Sequence, residues 1–223
     1  MRTAIFDLDG TLADTGADLI AAANAAFARR GEAAPLDPHA DKATAFRGGR
    51  AMLELGYRRL AVPDGPARYE EDYRALLAHY AEHIDRETEL YPGVIPTLEA
   101  LATAGWRLGI CTNKPIDLAE TLVARLGLDR HFGALIGAGS LEVRKPDARP
   151  VLETITRAGG QHPHAVMIGD TATDRAAAEA ATIPCILVTF GPEGEAVAQL
   201  SPEGLLADYA ALPDLLDTVL PPP

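Results

Sequence analysis

The sequence predicts an α/β protein: a doubly wound, Rossmann-like parallel sheet core interrupted by an all-helical insertion. Three observations predict it. Short apolar runs at residues 3–8, 107–112, 165–170 and 185–190 alternate with stretches of helical character, the pattern of a parallel sheet covered by helices on both faces. Between Asp14 and Tyr91 the alternation stops, and helical stretches follow one another with no convincing strand. The segments richest in polar chemistry fall at or near the ends of apolar runs, where open α/β sheets place their binding crevice.

Taken in order, the first strand is Thr3-Ala4-Ile5-Phe6, apolar and led by a β-branched residue, with its carboxyl end arriving at Asp7. Residues 19–30, 50–60 and 67–84 read as helices. They form an all-helical insertion over 16–89, read as a cap domain, between core segments 1–15 and 90–223. Its expected hinges are 14–18 and 85–92, the second rich in charge and closed by Pro92-Gly93. Helices are then expected at 94–103, 118–126, 150–158 and 174–181, between the remaining strands. The final Pro221-Pro222-Pro223 reads as a frayed tail.

Composition narrows the class. With 223 residues, 48% hydrophobic and 23% charged, the chain is an ordinary globular protein long enough to bury a core. It has no twenty-residue apolar stretch and no basic, apolar leader, so no membrane association and a cytoplasmic location are expected. A formal net charge of −12 argues against nucleic acid as a partner, since phosphate backbones need cations from the protein. An anionic ligand must then be drawn in by local positive charge. Cys111 and Cys185 lie in apolar runs and read as small core residues, with no disulfide or zinc spacing. Histidines such as His39, His79, His83 and His131 also lack ligand spacing. Monomer and homodimer both remain open.

Four segments carry the chemistry: Asp7-Leu8-Asp9-Gly10-Thr11, Thr112-Asn113-Lys114, Lys145-Pro146 and Gly169-Asp170-Thr171-Ala172-Thr173-Asp174. If extended geometry continues past Phe6, Asp7 and Asp9 point to the same side, and Gly10 permits a sharp turn. Two carboxylates at one strand end repel each other unless a cation or a shared proton intervenes. Magnesium suits the place, because it takes hard oxygen ligands from one or two carboxylates, water and substrate phosphate. Taken singly, Thr112 reads equally as a strand-end hydrogen bond, Lys145 as a surface lysine and Asp174 as an acid placed against a helix dipole. Together the segments read as a magnesium-dependent phosphate site.

Asp7-Leu8-Asp9-Gly10-Thr11-Leu12-Ala13-Asp14-Thr15 resembles the first motif of the haloacid dehalogenase superfamily of phosphohydrolases. In that superfamily's order, Thr112 resembles the second motif, Lys145 the third, and Asp170 with Asp174 the fourth, so the resemblance spans nearly the whole chain. Thr112-Asn113-Lys114-Pro115 and Val188-Thr189-Phe190-Gly191 are most similar to phosphoglycolate phosphatases. The resemblance implies that Asp7 forms an aspartyl-phosphate, and an ionised carboxylate is chemically able to split one displacement into two. It implies that Asp7, the backbone carbonyl of Asp9 and Asp170 hold Mg2+. Asp9 is expected to protonate the leaving alkoxide and then activate water. Dehalogenases of the superfamily lack this aspartate, which makes halide displacement the poorer reading.

Lys145 is expected to neutralise the phosphate and Asp7 together. Thr112 and the Asn113 backbone amide are expected to contact phosphate, and Asp174 to orient ligands or Lys145. In the insertion, Phe46-Arg47-Gly48-Gly49-Arg50 interrupts the helical pattern. Arg47 and Arg50 there offer guanidinium forks to a substrate carboxylate, with a solvent-facing role as the alternative. The expected substrate is a small phosphorylated metabolite, first of all 2-phosphoglycolate. The alternatives are a pyrophosphatase, a sugar phosphatase, a β-phosphoglucomutase or a catalytically silent binding protein. Ala148, Thr182 and Pro192 stand where the subfamily has a proline, a glycine and a tyrosine.

Overall fold

The computed structural model describes residues 1–62 and 65–221, so Pro222 and Pro223 of the expected tail lie outside the described residues. The chain forms two compact units, Met1–Ala13 with Leu90–Pro223, and Asp14–Glu89.

The first unit begins with β1 (Thr3–Phe6) and leaves along β2 (Ala13–Asp14). The second unit contains α1 (Gly16–Ala28), α2 (Lys42–Ala45), α3 (Gly49–Arg59) and α4 (Gly65–Glu82). The chain returns along β3 (Glu89–Leu90), which pairs with β2 in a short ribbon. The first unit then continues through α5 (Val94–Thr103), β4 (Arg107–Pro115), α6 (Ile116–Arg125) and β5 (Ala134–Ala138). It closes with α7 (Ala148–Arg157), β6 (Ala165–Gly169), α8 (Ala172–Ala180), β7 (Cys185–Val188), β8 (Gly204–Leu206) and α9 (Leu212–Val219).

Six strands make one parallel sheet in the order β5-β4-β1-β6-β7-β8. From β1 the chain builds outward to β4 and β5, then crosses back to β6 and builds the other way. The order therefore reverses at β1, the switch point beyond whose carboxyl end such sheets bind ligands. β1, β6 and β7 are buried along their whole length, as strands covered on both faces must be. Ile5, Cys111, Met167, Cys185 and Leu187 pack with Val151 and Ile155 of α7 and Ala177 of α8. On the other face, a Cβ on Gly204 would meet Ile186 together with Leu215 and Val219 of α9. Both cysteines are free and buried.

The helical unit closes around its own core of Ile20, Ala23, Phe27, Met52, Leu53, Leu76 and Tyr80, each at most 1% exposed. Burial of a large apolar side chain contributes about 1.5–3 kcal/mol. The Tyr57 hydroxyl donates to Asp72 and Arg30 pairs with the same carboxylate, which satisfies that acid inside the core. Residues 14–18, read as a hinge, are already helical from Gly16. Asp18 accepts hydrogen bonds from the backbones of Glu87 and Thr88 and from the Thr88 hydroxyl, tying the two ends of this unit together.

Candidate active site

β1 ends at Phe6. Asp7 still donates its backbone N–H to Ile168 on the neighbouring strand, so its side chain leaves from the switch point. Gly10 adopts φ +81°, a conformation that disfavours side chains, and the chain turns there. Thr11 follows, with its hydroxyl donating to Asp170 Oδ1 at 3.0 Å. Asp170 lies directly beyond β6, the strand beside β1.

One carboxylate oxygen from each of Asp7, Asp170 and Asp174 lies within 4.8 Å of the others. Asp174 is saturated. Its Oδ2 accepts the backbone N–H groups of Asp170 and Thr171 and the Thr171 hydroxyl, and its Oδ1 accepts from Lys145 Nζ at 2.6 Å. Asp170 is not saturated, since its Oδ2 is buried with no hydrogen-bond partner. An orphaned carboxylate oxygen beside a second carboxylate costs free energy unless a cation or proton meets it. The donor set therefore fits a hard divalent cation held by Asp7 and Asp170, with Asp174 holding the frame.

Lys145 has a side chain only 1% exposed and stands 3.2 Å from Asp7 Oδ1 as well as on Asp174. Burial lowers the pKa of its ammonium, but Asp174 and Asp7 outweigh that effect and the net shift is upward. Burial also drives Asp7 up to about 6, against the pull of Lys145 and with Asp174 and Asp9 adding to the rise. Asp170 is pushed well above the usual carboxylate range by burial first and by Asp174 and Asp7 next. Both shifts describe a site built for more positive charge than Lys145 alone brings.

The second motif occupies the end of β4, after its register with β5 shifts between Cys111 and Pro115. Thr112 is buried, and its Oγ1 accepts the Lys114 N–H at 3.2 Å. The side chain of Asn113 donates to the Lys145 carbonyl at 2.9 Å, bracing the lysine, while its Oδ1 is buried without a partner. Asp9 turns its carboxylate to Lys114, whose Nζ stands 2.8 Å from Oδ1. The Asp9 carboxylate does not belong to the cluster formed by Asp7, Asp170 and Asp174.

Two glycines make the packing possible. A Cβ on Gly169 would lie 2.3 Å from Asp174 Cβ, so the space a side chain needs is taken by the carboxylate that reaches back to Lys145. A Cβ on Gly191 would meet the Gly10 carbonyl oxygen at 3.0 Å and Asp170 Cβ at 3.1 Å.

The first unit thus brings together Asp7, Asp9, Thr112, Asn113, Lys145, Asp170 and Asp174. Arg47 and Arg50 belong to the helical unit, where both are exposed. Arg47 precedes the break at Gly48. Arg50 lies inside α3, 3.4 Å from Glu54 and over the Tyr69 ring. Sequence reasoning assigned no role to Lys114, Thr11 or Tyr209, although Lys114 and Thr11 lay inside quoted motifs. Tyr209 is buried and donates from its hydroxyl to the Thr11 carbonyl at 2.8 Å. Nothing in the local sequence around it signals that contact.

Residues 4–188 match the family model for haloacid dehalogenase-like hydrolases. A phosphoglycolate phosphatase of Agrobacterium fabrum is 40% identical over 211 residues, covering 94% of this chain and 89% of the relative. One from Mesorhizobium japonicum is 36% identical, covering 93% and 91%. Among solved structures, the crystal structure of a predicted phosphoglycolate phosphatase from Haemophilus somnus superposes with a TM-score of 0.83 at 24% identity, covering 96% of this chain and 97% of that one. A haloacid dehalogenase-like family hydrolase from Streptococcus pneumoniae gives 0.78 at 24% identity, covering 96% and 97%. The two solved structures bear on the fold alone. By its matched family model and its relatives, the chain belongs to the haloacid dehalogenase-like hydrolases and is a phosphoric monoester hydrolase.

Proposed function

We propose that this protein is a magnesium-dependent phosphatase that hydrolyses 2-phosphoglycolate through an aspartyl-phosphate on Asp7, with the Asp14–Glu89 unit acting as a substrate-selecting cap. The observation that carries the reading is the buried Lys145 bridging Asp7 and Asp174 beside the orphaned Oδ2 of Asp170. Asp7, Asp170 and the Asp9 carbonyl would hold Mg2+, which when bound supplies neutralising charge for the transferring phosphoryl group.

The chain's own groups do the rest. Asp7 is aimed by two contacts on Oδ1, the Leu8 N–H at 2.7 Å and Lys145 at 3.2 Å. Its attack on phosphorus transfers the phosphoryl group and releases the alcohol. Asp9 gives its proton to the departing oxygen, then takes one from the water that hydrolyses the acyl phosphate, returning Asp7 as carboxylate. Lys145 offsets the repulsion between Asp7 and the incoming phosphate. Thr112 and the Asn113 backbone amide bind phosphoryl oxygens, while the Asn113 side chain keeps Lys145 in register. In the helical unit, the exposed Arg47 and Arg50 are the candidates for a substrate carboxylate. The relatives named phosphoglycolate phosphatase support this substrate.

The test is phosphate release from 2-phosphoglycolate beside a panel of pyrophosphate, sugar phosphates and other small esters, with and without EDTA. The reading expects 2-phosphoglycolate to give the highest kcat/KM and chelation to abolish release. Turnover that survives EDTA overturns the metal assignment, and a preference for another panel member overturns the substrate.

A further inference from the structure

Lys114 is a buried cation that the steps above leave unused. Its side chain is 3% exposed, and its Nζ stands 2.8 Å from Asp9 Oδ1. Asp9 itself is 19% exposed, against 13% for Asp7 and 0% for Asp174, so it is the more open member of the acidic group. Lys114 is also tied by its backbone N–H to Thr112, one of the residues assigned to phosphate.

The two buried lysines divide between the two ends of the reaction. In-line transfer sets the attacking oxygen and the leaving oxygen on opposite sides of phosphorus. Lys145 touches Asp7 and Asp174, so its charge falls on the attacking side. Lys114 touches Asp9, the group that must reach the leaving oxygen, so its charge falls beside the carbon skeleton of the departing alcohol. A hydrocarbon or hydroxyl there gains little from an ammonium, whereas an anion gains a charge-assisted bond. In a hydroxy-acid phosphate of two or three carbons, the carboxylate lies within a few bonds of the ester oxygen. An ammonium serves several acceptors at once, so such a carboxylate joins Asp9 on Lys114 without displacing it.

We propose that Lys114 is a specificity-determining residue that binds a carboxylate on the leaving-group side of the substrate, selecting phosphate esters of short hydroxy acids. The proposal rests on the phosphatase reading and on Asp9 as its proton donor. It locates acid recognition in the core strand β4, independently of any arginine of the helical unit.

The test compares 2-phosphoglycolate with ethyl phosphate, which has the same two carbons and no carboxylate, in the wild type and in Lys114→Met and Lys114→Arg. Wild type is expected to favour the acid by about 100-fold in kcat/KM, the discrimination that one hydrogen bond to a charged group supplies. Lys114→Met lowers kcat/KM for both esters but shrinks that preference at least tenfold, and Lys114→Arg retains part of it. A preference unchanged within about threefold, with both substrates falling together, shows that Lys114 only steadies Asp9 and overturns the proposal. Wild-type discrimination below tenfold overturns it without any variant, should Lys114→Met fail to fold. Wild type inactive on both esters and on the wider panel refutes the phosphatase reading instead.

Discussion

Replacing Lys145 by Met tests how the site holds its charge. The ammonium is 2.6 Å from Asp174 and 3.2 Å from Asp7, with a side chain 1% exposed. Methionine keeps the apolar stem and removes the charge, leaving buried carboxylates with no counter-charge in the metal-free protein. Removing one partner of a buried ion pair costs about 3–5 kcal/mol. Asp174 Oδ2 keeps its three donors and Asp7 Oδ1 keeps the Leu8 N–H, which sets the expected loss near the lower end, about 3 kcal/mol. The assay is urea unfolding in EDTA at pH 7.5 and pH 5. Lys145 lowers the pKa of Asp7, so its loss raises that pKa further above the already elevated value of about 6. A carboxyl whose folded value exceeds its unfolded one favours the folded state at low pH and loses that contribution as pH rises through the folded value. The deficit of Lys145→Met is therefore largest at pH 7.5 and smaller at pH 5. A loss under about 1 kcal/mol at pH 7.5, or one that does not change between the two pH values, refutes the charge argument.

The same reasoning predicts that metal-free wild type becomes more stable as pH falls from 7.5 toward 5, because Asp7 and Asp170 both bind protons more tightly when folded. Mg2+ then raises Tm more at pH 7.5 than at pH 5, and equal thermal shifts at both would count against a carboxylate site. Asp7→Asn is nearly isosteric and removes a carboxylate whose ionisation burial disfavours. It is expected to abolish measurable turnover in a deamidation-checked sample while unfolding in EDTA at pH 7.5 no earlier than wild type. Thr182 has φ +56° at the end of α8, where its N–H bonds Glu179 and the Ile183 N–H bonds Ala178, a helix stop that favours glycine. Thr182→Gly should stabilise the protein by about 0.5–1 kcal/mol, the relief of left-handed strain less the entropy glycine loses on folding, and urea midpoints check it.

The sheet centre was legible because it is buried on both faces. Thr3-Ala4-Ile5-Phe6 and Ala165-Val166-Met167-Ile168 are unbroken runs with no polar residue past the first, and little but a central parallel strand accounts for such runs between helices. β5 and β8 escaped notice for the converse reason. Ala134-Leu135-Ile136-Gly137-Ala138 and Gly204-Leu205-Leu206 are short edge strands with glycine inside or at the start, and they exist because the neighbouring strand supplies a partner. Gly137 is tolerated because a Cβ there would lie 2.9 Å from the Lys114 carbonyl oxygen, a tertiary fact with no local sign. Beyond β1 the chain leaves the sheet because Gly10 turns it and Leu12 and Ala13 return their N–H groups to the Leu8 carbonyl.

In the site, the residues that sequence named are those whose chemistry is improbable in isolation, such as two aspartates at a strand end. Those it left ambiguous acquire meaning from distant partners. Asp174 is the clearest case, because its two readings, a helix-start acid and an aid to Lys145, are the two oxygens of one carboxylate. Oδ2 gathers the N–H groups of Asp170 and Thr171 at the start of α8, and Oδ1 holds an ammonium 29 positions earlier in the chain. The local half is visible in the spacing from Thr171 to Asp174, whereas the distant half requires Lys145 to arrive from the segment before α7. Gly169 leaves the room that this carboxylate fills, and Asn113 steadies the lysine from β4. Helix start and reacting centre are thus mechanically one piece: any change that displaces the first turn of α8 moves the ammonium facing Asp7.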